Sequence, residues 1–311
     1  MGGSMGSVNE RQERIHWPVK QREMQNWAMD STRWDDFQFR DDDIVVATWA
    51  KSGTTWMQQI IGQLVFKGEE DIPVCDVSTW VEFRAEPKEY MLERLEQQEH
   101  RRFVKTHLPV DALVFSPTAK YIFIARDGRD TLWSWYNHHK NSTQVGYELV
   151  NDTPGRVGPP LGKPNDDIVQ YFRDWLEKDG YPCWPFWSHI QSWWDIRDLP
   201  NVHLIHFNNL KSDMEGEIRR VAAFLDIEID DDLWPTIFEH CGFDYMKENA
   251  PTLSPFLAEV FHGGAKTFVN KGTNGRWRDV LTPADIEMYE NYAMKHLSSD
   301  CAHWLATGET R

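Results

Sequence analysis

Asp43-Ile44-Val45-Val46-Ala47-Thr48-Trp49-Ala50-Lys51-Ser52-Gly53-Thr54-Thr55-Trp56, running on to Phe66, is the stretch from which the fold can be read. Ile44–Ala47 is a short β-branched run of the kind that forms a buried strand. From Trp56 onward the apolar residues fall at Trp56, Met57, Ile60, Ile61, Leu64 and Val65, the spacing of a helix with one buried face. Between strand and helix lies a small polar turn, Lys51 to Thr55. The first N–H groups of a helix lack partners and carry the positive end of its dipole, so this turn suits an anion. Gly53 lets the backbone come close, the hydroxyls add donors, and Lys51 adds a mobile charge. An ordinary strand-to-helix turn with a serine cap would read the same way at this level.

The turn is not a Walker A loop, which needs Gly, four residues, then Gly-Lys-Ser/Thr; here the lysine precedes the glycine. Gly162-Lys163 is followed by Pro164 and follows no strand. The chain has 311 residues, 41% of them hydrophobic, enough for a substantial core. Its net charge of −16 disfavours general nucleic-acid binding, so an anionic ligand requires a local basic pocket. No apolar run approaches the ~20 residues of a membrane span. The start shows no apolar signal stretch, and Gly6 breaks the myristoylation pattern. The four cysteines, Cys75, Cys183, Cys241 and Cys301, lie far apart without a Cys-x-x-Cys pair, which suits a reducing cytoplasm rather than a zinc site or disulfides. A cytoplasmic location and no metal are therefore expected.

Further strands are expected over residues 102–106, Lys120–Ala125 and 202–207. The first ends in Lys105-Thr106-His107-Leu108-Pro109, where proline stops the element as polar groups emerge. After the second come Arg126 and, eight residues on along a helix, Ser134, so both can face one ligand group. A structural salt bridge from Arg126 to Asp127 or Asp130 is the plainer alternative. Helices are expected over 86–98, 184–196, 211–225 and 231–241, and a last long one from Thr282-Pro283, a cap followed by proline at the first turn. Residues 141–166, rich in Gly, Pro and Asn, read as a lid, binding loop or disordered segment. Residues 268–277 interleave Gly, Asn, Lys and Arg with Phe268 and Trp277, as a phosphate clamp or a solvated basic turn would. Strands alternating with helices define an α/β fold with a central, mostly parallel sheet flanked by helices. We read a flexible tail over 1–15 and a single domain over 16–311.

These motifs, taken together, resemble the cytosolic sulfotransferase family, with this chain as a bacterial or otherwise divergent member. Thr48 to Trp56 is similar to that family's 5′-phosphosulfate loop, Arg126 with Ser134 to its 3′-phosphate site, and Lys271-Gly272-x-x-Gly275-x-Trp277 to its C-terminal motif. The likeness covers about residues 35 to 290, with all three motifs in order. It implies sulfuryl transfer from 3′-phosphoadenosine 5′-phosphosulfate (PAPS) to a hydroxyl of a small hydrophobic or phenolic acceptor, leaving 3′-phosphoadenosine 5′-phosphate (PAP), without a metal.

Carried over residue by residue, the resemblance makes His107 the general base, its ordinary pKa of ~6.5 suiting that role, with Lys51 and Lys105 on the transferring group. Ser52, Gly53, Thr54 and Thr55 would bind the 5′-phosphate, and Arg126, Ser134, Asn270, Lys271 and Gly272 the 3′-phosphate. Trp56 and Phe243 would flank the adenine, Trp187, Cys241 and Phe268 would complete the cofactor site, and Trp80 and Phe83 would line the acceptor pocket. Three departures stand out. Asn270 replaces an arginine, Trp187 a tyrosine, and Cys241-Gly242 a Thr-Ser pair. Arg278-x-x-x-Thr282-Pro283-x-x-x-Glu287 resembles the family's dimerisation signature with two changes, which leaves a homodimer open. A kinase or NTPase with a variant loop, and a non-catalytic adenosine-phosphate binder, remain the other readings.

Overall fold

The computed structural model describes residues 15–269 and 271–310. The expected strands form one parallel sheet: β1 (Ile44–Ala47), β2 (Phe103–Thr106), β3 (Lys120–Ala125) and β4 (Val202–His206), in the order β2-β1-β3-β4. Ile44 pairs with both Phe103 and Lys120, so β1 lies at the centre. The chain leaves β1 toward β2 and returns to the other side for β3, which places the reversal of strand order between β1 and β3. Ligands of open α/β sheets bind outside the carboxyl ends of the strands at such a point.

All four residues of β1 are buried, as expected of a strand covered on both faces. Successive side chains face opposite layers. Ile44, Val46, Ile122 and Ile124 meet the Thr54–Val65 helix and the Met214–Phe224 helix on one face. Val45, Ala47, Tyr121 and Phe123 enter an aromatic layer on the other, where Trp49 contacts Trp175, Trp184 and Phe186. The sheet is fastened at its amino end by a buried ion pair. Arg102, just before β2, donates from Nε and Nη2 to the two carboxylate oxygens of Asp43, just before β1, at 2.8 and 2.6 Å.

Several elements differ from the expectation. Residues 141–166 are not all loop: Gln144–Asn151 is helical, capped by Thr143 accepting from the Gly146 N–H. Eight residues give too few turns for periodicity to stand out among glycine and polar neighbours. The expected helix over 211–225 is two, Phe207–Ser212 and Met214–Phe224, because Asp213 leaves the helical conformation and caps the second through the Gly216 N–H. Ile168–Glu177, capped by Asp167 and burying Tyr171, Phe172, Trp175 and Leu176, was not anticipated. The helix Pro283–His296 begins with the expected Thr282 cap, and a shorter helix, Ser299–Thr307, follows it. Of the proposed tail, residues 1–14 lie outside the described residues. All four cysteines are free, and no helix among the described residues is long and apolar enough to cross a membrane.

Removing one partner of a buried ion pair strands the other charge. Arg102→Ala should therefore cost about 3–5 kcal/mol of stability, read by urea denaturation, whereas Lys20→Ala, which breaks the surface contact to Asp35, should cost under about 1 kcal/mol.

Candidate active site

The carboxyl ends of β1, β2 and β3 open into a cavity of about 970 Å³. Its wall brings together Lys51, Gly53, Thr54, Thr55 and Trp56 from the first loop with Lys105 and His107 from the end of β2. Arg126 and Ser134 follow β3, and Phe243, Phe268, Lys271 and Gly272 come from the later chain. Trp80 and Phe83 line the same space, stacked with ring centroids 4.8 Å apart.

Gly53 shows why the first loop has its sequence. It begins the Thr54–Val65 helix with φ at +119°, and an added Cβ would lie 2.8 Å from Ile124 Cδ1 and 3.1 Å from Phe207 Cδ2. Only glycine lets the helix start this close to the centre of the sheet. Lys51 also takes a positive φ, of 67°, and its residue lines the cavity. Its ammonium lies 3.7 Å from the Phe268 ring centre, a cation–π contact. Burial, with Lys105 and Arg126 nearby, lowers its pKa to about 7. Lys105 is lowered as well, by burial, and its ammonium lies 5.6 Å from the Trp80 ring centre.

His107 is held from two sides. Its Nδ1 lies 2.8 Å from the Thr48 carbonyl oxygen and 3.2 Å from Thr48 Oγ1. A carbonyl can only accept, so Nδ1 carries the proton and Nε2 keeps a lone pair. Its backbone N–H donates to Glu82 Oε1. Glu82 is fully buried and also accepts from Thr106 Oγ1 at 3.0 Å and Trp34 Nε1 at 2.9 Å; burial raises its pKa. The imidazole does not keep the ordinary pKa assumed from sequence. Burial, then Lys105, lower it to about 3, so the free protein holds His107 neutral throughout the physiological range.

Arg126 does not pair with the neighbouring carboxylates. Asp127 binds Arg129 at 2.6 Å, and Asp130 accepts from the Gly275 N–H at 2.7 Å. Arg126 reaches the C-terminal loop instead, donating to Asn274 Oδ1 from Nε at 2.9 Å and to the Thr273 carbonyl at 3.0 Å. Its guanidinium carbon stands 4.3 Å from the Phe207 ring centre, and burial lowers its pKa to about 10. Lys211 Nζ donates to the Gly272 carbonyl at 2.7 Å. Gly272 is pressed onto Phe243, where a Cβ would come within 2.7 Å of the ring.

Three proposed cofactor residues do not line the cavity. Ser52 is buried, with its N–H on the Trp49 carbonyl and its hydroxyl 3.5 Å from Thr131 Oγ1, so it shapes the turn. Trp187 is 1% exposed among Phe186, Trp175 and Tyr289 and belongs to the aromatic core. Cys241 is buried too; its carbonyl accepts from Trp56 Nε1 at 2.8 Å and thereby orients that indole. Asn270 lies outside the described residues. Sequence reasoning missed Phe207, Lys211, Trp184 and Glu82, while Arg276 falls within the stretch read as a phosphate clamp. Phe207 had a legible signal, an aromatic immediately beyond a strand's carboxyl end; Glu82 had none, being one acid among 49 Asp and Glu residues.

The match to known proteins agrees with this geometry. Residues 41–300 match the sulfotransferase domain, and the chain belongs to that family. A glycolipid sulfotransferase of Mycobacterium tuberculosis (strain ATCC 25618 / H37Rv) is 30% identical over 300 residues, covering 90% of this chain and 92% of that protein. Sulfotransferase 1A1 of Rattus norvegicus is 27% identical, covering 84% of this chain and 86% of its own length. Among solved structures, mouse sulfotransferase SULT7A1 complexed with PAP shares the fold with a TM-score of 0.66 at 22% identity, covering 88% of this chain and 91% of that one.

The lowered pKa of Lys51 has a measurable consequence. An anionic phosphate on Lys51 favours its charged form and raises its pKa again. Above about pH 7 the free protein must then take up a proton to bind. Affinity for PAP should fall as pH rises from about 7 to 9, by up to roughly tenfold per pH unit. Calorimetry in buffers of different ionisation enthalpy should show proton uptake in the wild type and its loss in Lys51→Ala.

Proposed function

We propose that the protein transfers the sulfuryl group of PAPS to a hydroxyl of an apolar acceptor, releasing PAP. The observation that carries this reading is the meeting of Lys51, Lys105 and a neutral His107 in one cavity. Arg126, Ser134 and Lys271 line the same cavity and suit a second phosphate, and aromatic side chains make up much of the remaining wall. Backbone N–H groups at the start of the Thr54–Val65 helix would take the 5′-phosphate, and Trp56 with Phe243 would flank the adenine.

Sulfuryl transfer, like phosphoryl transfer, spreads charge over peripheral oxygens, so positioning and cations matter more than covalent chemistry. Lys51 would neutralise the bridging oxygen as it leaves, and Lys105 the sulfuryl oxygens. His107 Nε2 would remove the acceptor proton. At a pKa of about 3 it is a weak base in the free protein. Burial is the main cause of that lowering; an anionic donor beside Lys51 and Lys105 would cancel the part that these cations add, so its basicity rises when the donor is bound. The acceptor end favours a hydrophobic molecule: Trp80, Phe83, Tyr147, Leu149, Phe261 and Trp184 line it. A lipid-linked acceptor, the class named for the mycobacterial relative, fits that wall. We place the protein in the cytoplasm, working on an acceptor taken from solution or from a lipid surface.

His107→Ala should lower the labelled-sulfate transfer rate by about 10²–10⁴-fold while PAP affinity changes less than about twofold. Full activity in this variant would remove His107 from the role. Magnesium-dependent ATP turnover, or PAP binding without transfer across a broad panel of phenols and alcohols, would favour the kinase or non-catalytic reading instead.

A further inference from the structure

Arg276 has no task in the chemistry above. It lines the cavity, yet its side chain forms no ion pair or hydrogen bond among the described residues. Its Nε is enclosed, whereas the two terminal nitrogens keep accessible surface. The backbone around it is pinned on both sides. Gly275, at a φ of +80°, donates its N–H to Asp130 at 2.7 Å. Trp277 is buried, with its ring centre 4.0 Å from the Arg129 guanidinium carbon.

Arg126 shows what an arginine at this place is for. Its Nε donates to Asn274 Oδ1 at 2.9 Å and its Nη2 to the Thr273 carbonyl at 3.0 Å, which leaves only Nη1 for a ligand. A single nitrogen gives no bidentate grip on a phosphate, so the fork has to come from a second guanidinium. The segment that occupies Arg126, residues 273 and 274, leads directly into Arg276. Burial lowers the pKa of both guanidiniums; Arg276 adds to that lowering at Arg126, and Asp130 opposes it at both. Neither arginine has a carboxylate ion-pair partner among the described residues, so the pair favours a doubly charged anion. Position 276 is one that the motif ending in Trp277 leaves open. Asn270, where the likeness expects a phosphate-binding arginine, lies outside the described residues.

We infer that Arg276 is a cofactor-selecting residue, whose terminal nitrogens bind the donor's 3′-phosphate together with Arg126 Nη1 and so favour 3′-phosphorylated adenosine nucleotides over those without that group. This rests on the PAPS site proposed above. A phosphate monoester offers three acceptor oxygens and a charge of about −1.5 to −2 at neutral pH, which matches two guanidiniums better than a carboxylate does. A nucleotide with a free 3′-hydroxyl cannot replace those charge-assisted bonds.

The test is a calorimetric titration of the full-length protein with PAP and with adenosine 5′-phosphate, which differs only in lacking the 3′-phosphate. Arg276→Ala should weaken PAP binding by roughly tenfold or more and adenosine 5′-phosphate binding by less than about twofold. The retained second ligand reports an intact fold. Arg276→Lys, which keeps the charge without the fork, should retain part of the PAP affinity. Equal losses on both nucleotides, or unchanged PAP affinity in Arg276→Ala, would overturn the assignment. So would a wild-type protein that binds PAP no more tightly than adenosine 5′-phosphate. Sulfate transfer by the wild type alongside unchanged PAP affinity in Arg276→Ala would remove Arg276 and leave the sulfotransferase reading intact. Selective loss of PAP binding in a protein that transfers sulfate to no phenol or alcohol would sustain the role of Arg276 and remove that reading.

Discussion

Unpaired positive charge inside one cavity governs this structure. Lys51, Lys105 and Arg126 converge at the carboxyl edge of the sheet, and none has a carboxylate ion-pair partner among the described residues. The nearest acids are committed elsewhere: Asp127 to Arg129, Asp130 to Gly275 and Glu82 to three donors. In a chain of net charge −16 this local excess is not a general field but a built pocket. Burial pushes both lysines and His107 toward their neutral forms, and repulsion from the neighbouring cations adds to it at Lys51 and His107. A bound anion would relieve that strain, and the same event would raise the basicity of His107. Anion binding and the basicity of His107 would thus be coupled through the shared electrostatics of the cavity.

The fold holds those charges in place with neutral contacts. Gly53 brings the first helix over Ile124, Thr48 sets the His107 tautomer, and Glu82 fixes the end of β2 from beneath. Arg84 reaches the Trp27, Thr153 and Pro154 carbonyls and so joins the Trp80–Phe83 segment to the loop after the Gln144–Asn151 helix. This wall of the cavity is therefore assembled from segments that depend on one another.

Much of the site was legible in short patterns. The strand, polar turn and helix over residues 43–66 are visible because both periods are local, and Lys105-Thr106-His107 is legible because proline ends its strand. Residues placed by likeness alone fared less evenly. Trp187 and Cys241 are buried behind the cavity rather than in it, because family position does not say which side of a helix meets the core. Ser52 serves the turn, its hydroxyl turned toward Thr131.

The amino-acid sequence by itself determined the four strands, the anion-friendly loop and the residues at the strand ends, since each depends on neighbours a few positions apart, and the family, since its motifs keep their order along the chain. Tertiary structure decided the rest. The pairing of β1 with both β2 and β3 put the loops on one edge; Arg126 chose Asn274 over Asp127; and burial, with Lys105 close by, took His107 from an ordinary imidazole to one with a pKa of about 3. These outcomes follow from distances between residues far apart in the chain and from the loss of water around them. No local pattern encodes either quantity.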